Sequence, residues 1–87
     1  MQTGILVFDG EIQDWIIWIE QKGFETFTGM NFEIRIQHRY YKATFEKDYY
    51  DWFVIIEDDI DFSLRLVETY KVRIFEKELL PIFDLPF

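Results

Sequence analysis

The chain has no cysteine, so neither a disulfide nor a thiolate metal site can hold it together. Histidine and serine occur once each, as His38 and Ser63, in different stretches of the chain. The usual nucleophile and base pairs of covalent catalysis would all have to be built from those two residues. The four glycines stand far apart, which excludes a glycine loop that cradles phosphate. No apolar stretch approaches the ~20 residues needed to span a bilayer, and the short apolar run of MQTGILVFDGE has no basic flank ahead of it. Cations are scarce as well: nine Lys and Arg face 17 Asp and Glu. Affinity for nucleic acid rests on cations that neutralise phosphates. Together these absences predict a cytoplasmic, non-enzymatic protein with no cofactor, no membrane contact and no direct hold on nucleic acid.

What the chain does contain is aromatic and β-branched. With 87 residues it makes one domain, and a domain of this size buries only about 60 to 65% of the surface that its unfolded chain exposes. Aromatic packing must therefore supply most of the core. Ten Phe, five Tyr and three Trp are present, each able to bury roughly 150 to 250 Å².

Apolar residues recur with period two more clearly than with period 3.6, which is the pattern of half-buried strands. Residues 4–8 form the first candidate strand. Asp9-Gly10 reads as a type I′ hairpin turn, because Asp tolerates and Gly permits the positive φ that both central positions need. A second strand then starts near Glu11 and runs through DWIIWIE, with a short helix as the competing reading. Gly23 and Gly29 mark residues 22–30 as a loop or bulge. Residues 30–37 are the cleanest strand: Phe32, Ile34 and Ile36 point one way, Glu33, Arg35 and Gln37 the other. Two further strands follow across residues 41–46 and 50–57, with His38 exposed at the hairpin turn before them. DFSLRLV reads as a helical turn with Asp61 as its N-cap, after which Tyr70, Val72 and Ile74 resume period two. The expectation is an all-β fold, an SH3-like barrel or rolled antiparallel sheet of about six strands with one short helical turn, since a barrel hides its own edges. It would occupy residues 1–76. The apolar tail, 77–87, contains Pro81 and Pro86, which cannot donate to a ladder, and is expected to pack on the barrel or on a partner.

The charge is concentrated. From Glu46 to Asp61, in EKDYYDWFVIIEDDID, seven carboxylates face Lys47 alone, a formal charge of −6 in a chain that totals −8. A field of that size bears on partners, solubility and association rate rather than on fold. Plain solubility accounts for such a run without any partner. Asp58, Asp59 and Asp61 offer oxygen ligands, but the segment lacks the glycine and the closing glutamate of a calcium loop. No pair among the 17 acids stands out as catalytic, and a barrel this small leaves little room for a cleft of ~300 Å³ or more. In an extended strand Asp59 and Asp61 would repeat charge every 6.6 to 6.8 Å or so, comparable to neighbouring phosphates. A cationic groove built for DNA could accept such a row. Seven of the other eight cations form two loose groups, Arg35, Arg39 and Lys42 in one and Arg65, Lys71, Arg73 and Lys77 in the other, and are expected to pair with acids across strands.

In size and charge alone the chain is similar to the small acidic proteins with which phages and plasmids disable host nucleic-acid machines, such as DNA mimics and CRISPR inhibitors. That is an analogy of class and carries over no residue. The expectation is a protein-binding module that inhibits a basic nucleic-acid-binding protein, a CRISPR nuclease being one instance. Its partner-binding residues would be Asp48, Asp51, Phe53, Glu57, Asp58, Asp59 and Asp61. The alternative is a structural β domain that forms a homodimer or larger oligomer through Trp18, Phe75, Leu80, Phe83 and Phe87.

Overall fold

Alternating apolar and polar residues build strands along almost the whole chain. The computed structural model describes residues 1–48 and 51–81. Within them run β1 (Gln2–Asp9), β2 (Asp14–Ile19), β3 (Lys22–Glu25), β4 (Asn31–Ile36), β5 (Arg39–Lys47), β6 (Trp52–Ile56), β7 (Ile60–Ser63), β8 (Tyr70–Ile74), a 3₁₀ turn (Glu76–Glu78) and β9 (Leu80–Pro81). The fold is all-β. All pairings are antiparallel and make one sheet in the order β7-β6-β5-β4-β8-β1-β2-β3-β9, the last strand being a two-residue extension of β3.

The order has two ends, so the sheet is not closed into a barrel. It is nevertheless rolled. Phe8 of β1 meets Trp52 of β6 at 5.2 Å between ring centroids, although three strands, β8, β4 and β5, lie between β1 and β6 in the sheet. Lys47 of β5 crosses the same gap, with Nζ 2.7 Å from the Asp14 carboxylate and 2.8 Å from the Thr26 carbonyl. Inside lies a single core. Leu6, Trp15, Ile17, Ile34, Phe45, Val54 and Val72 are fully buried, and Phe8, Phe24, Tyr41, Trp52, Phe62 and Leu79 pack around them.

Several sequence-based expectations need correction. Nine strands replace six because three short ones do not carry enough residues to show a period. Residues 22–25 form β3 rather than a loop. Its Gly23 sits beneath Trp18, where a Cβ would stand 3.2 Å from ring atom Cη2, so the indole covers the site that a side chain would fill. Residues 60–63 are strand β7, paired to β6 by Ile55↔Asp61 and Ile56↔Ile60, and Asp61 caps no helix. The 3₁₀ turn lies at Glu76–Glu78 instead. The first hairpin is also longer than a type I′ turn. Asp9 and Asp14 are its last pair, Gln13 takes the positive φ of 55°, and Asp9 Oδ1 accepts from the Glu11 N–H at 2.9 Å.

β8 holds the architecture together. It pairs with β1 on one side and β4 on the other, and so joins the amino-terminal hairpin to the meander β4-β5-β6-β7.

Candidate functional site

The period of β6 sorts its residues by face. Val54 and Ile56 are buried inward and Trp52 packs on the core, whereas Phe53 and Ile55 face outward and are half-buried. Phe53 lies between Glu46 and Ser63, and Ile55 between Thr44 and Asp61. The acids form two groups at opposite ends of this strand. Asp48 and Asp51 stand at its start, where the Asp48 N–H donates to the Asp51 carbonyl at 2.8 Å. Glu57, Asp58 and Asp59 stand at its end, in an exposed turn. A five-residue strand separates the groups by about 16 Å.

That turn overturns the expected row of regularly spaced charge. Glu57 and Asp58 have φ of 54° and 62°, and the Asp59 N–H donates to the Ile56 carbonyl at 3.0 Å. Two successive left-handed residues closed by such a bond are the mark of a type I′ turn. Asp59 thus lies in the turn, and of the two only Asp61 is in a strand.

Two features strengthen the acidic field. Lys47, the only cation within the run, is drawn away to Asp14 and Thr26. The nearest compensation is Lys42, whose Nζ lies 3.3 Å from Asp58 with side chains 60% and 72% exposed. A pair so exposed contributes at most about 1 kcal/mol. Moreover, β7 is the outer strand at this end of the sheet. The Leu64 N–H donates to the Trp52 carbonyl at 3.1 Å, which sets the parity of the ladder. Ile60 and Phe62 turn their backbone groups to β6, while Asp61 and Ser63 turn theirs outward from the edge.

The residues expected at an oligomer interface are dispersed over several elements. Trp18 is half-buried on the outer face of β2. Phe75, just past β8, is 52% exposed with the Lys77 ammonium 5.7 Å from its ring centre. Leu80 pairs its backbone with Glu25 of β3. Phe83 and Phe87 lie outside the described residues.

One arrangement was not legible in the sequence. The cations were expected to pair with acids, and Arg73 does so: it contacts Glu33 at 2.6 Å and lies 3.9 Å over the Tyr40 ring. Yet the β4–β8 register carried one residue beyond Ile34↔Val72 brings Arg35 beside Lys71. Both line a cleft of about 410 Å³ on the outer face, with Ile5, Trp18 and Tyr40 around it. They also line a second cleft of about 590 Å³ towards Phe62 and Arg65. The signal was hidden because β8 reaches β4 only through a pairing of long sequence separation.

Among the described residues no group of three or more His, Asp or Glu stands where it could hold a metal ion, and no helix is long and apolar enough to cross a membrane. No family model, curated protein or solved structure matches the chain.

Proposed function

We propose that this protein is a non-enzymatic binding module whose acidic β6–β7 edge occupies a cationic surface of a nucleic-acid-binding protein and so inhibits it. One observation carries the reading: acids flank both ends of an outward strand with half-buried Phe53 and Ile55 between them, at an open sheet edge. The charges would steer encounter and set register, and the apolar pair would give the desolvated centre that an interface needs. By analogy of size and charge, a nuclease of the CRISPR class is the narrower partner.

The test is affinity capture from a bacterial lysate at low salt with the wild-type chain and with Asp58→Lys/Asp59→Lys. A basic partner should bind the wild type alone and elute as salt rises. A partner held equally by both chains, or one indifferent to salt, would overturn the reading. The second reading, self-association, draws on the exposed ring of Phe75 and on the apolar sequence LLPIFDLPF. Sedimentation with and without residues 79–87 decides it, since a monomer in both cases removes it.

A further inference from the structure

Tyr40 pairs with Arg35, Lys71 with Ile5 and Ile5 with Trp18, and the β4–β8 register carried one residue beyond Ile34↔Val72 sets Arg35 beside Lys71, so the five line up across adjacent strands β5, β4, β8, β1 and β2. At its centre are two like charges. Cations directly opposite each other on neighbouring strands destabilise a sheet, and a chain with 17 acids has ample means to compensate them. Here it does not. Arg35 makes one hydrogen bond, from Nε to the Gln37 carbonyl at 3.1 Å, and no ion pair of the described residues involves Arg35 or Lys71. Two residues back along the same register stands the alternative, for there Arg73 is matched with Glu33 at 2.6 Å.

We infer that the Arg35–Lys71 pair is an anion site, and that with Trp18 it binds a mononucleotide. A phosphate monoester carries about −1.5 to −2 at neutral pH, which matches two facing cations where one carboxylate would leave a charge unbalanced. Arginine presents a planar fork to phosphate oxygens and lysine adds a point charge. Trp18 lies two strand spacings from Lys71, about 9.6 Å. Its indole covers Gly23 and stays partly exposed, so it offers a surface on which a base can stack. Glu20, the one acid of this cleft, is an acceptor for sugar hydroxyls. A long nucleic acid is disfavoured on magnitude: a polyanion needs many phosphate contacts, and the −8 net charge repels whatever extends beyond the two or three cations here. This inference stands apart from the acidic edge.

AMP titrated into the full chain, followed residue by residue in ¹⁵N NMR spectra, tests the inference, with inorganic phosphate and adenosine as separate arms. AMP should shift Ile5, Arg35, Lys71 and the Trp18 indole together, and bind more tightly than either arm. Lys71→Gln should weaken binding about tenfold or more, while melting a few degrees higher because the repulsion is gone. That gain in stability keeps the variant folded and the comparison valid. No clustered shifts at millimolar AMP, or equal binding by Lys71→Gln, overturns the site. Phosphate alone binding as well as AMP overturns the stacking role of Trp18.

Discussion

Alanine at Gly4 would place a Cβ 2.5 Å from the carbonyl oxygen of Trp18 and 2.9 Å from Cγ1 of Ile19. Backbone in the middle of a sheet cannot step aside cheaply, so Gly4→Ala should cost about 1 to 3 kcal/mol in urea denaturation with an unchanged slope. Phe45 is fully buried and tilted against Phe32 at 6.5 Å, and truncation to alanine should cost about 3 to 5 kcal/mol in the same measurement. Asp14 is a different case. Its carboxylate holds Lys47 at 2.7 Å with side chains only 25% and 26% exposed, so Asp14→Ala leaves a half-buried ammonium with the Thr26 carbonyl alone. Hydrogen bonds to charged groups are worth about 1.5 to 3 kcal/mol, and the thermal midpoint should fall accordingly. Trp15 carries an unusual burden, since its buried indole N–H has no acceptor among the described residues while its ring packs between Phe8 and Tyr70. Size rather than hydrogen bonding holds that residue in place.

Strands long enough to show two full periods were legible in the sequence. β4, β5, β6 and β8 stand within a residue or two of where alternation puts them, and β2 proved a strand although both its faces are apolar. Its outward residue Ile16 is only 2% exposed, which explains why no clean alternation marked it. β7 and β3 escaped because four residues fit a helical turn or a loop as well as a strand, and what decides between them is a neighbour distant in sequence. The same limit governed the candidate site. Its acids could be named from sequence, but the tight turn that takes Asp59 out of the strand depends on left-handed backbone at Glu57 and Asp58, which neither residue type announces. Charge on an open edge also guards against strand pairing between copies. Asp61→Val should therefore yield a protein that scatters light and sediments as larger species at high concentration, while a variant that stays monomeric would show that Asp61 is not the guard.

At the scale of the whole molecule, the central place of β8 makes the sheet a late event. Neither β1 nor β4 has its full set of neighbours until Tyr70–Ile74 arrives, so a chain cut before residue 70 should show a denatured spectrum by circular dichroism. Non-local pairings of this kind put folding on the millisecond to second scale. Salt should act in opposite directions on two observables. Screening a net charge of −8 relieves self-repulsion and raises the melting temperature, whereas it weakens capture of a basic partner. The clasp from Lys47 to Asp14 links the two. In the unfolded chain that ammonium sits in the midst of the acidic run and partly neutralises it, and only folding carries it across to β2. The full negative field is thus a property that the protein acquires on folding. A partner drawn by that field would discriminate native chains from denatured ones, and by mass action would protect those it bound.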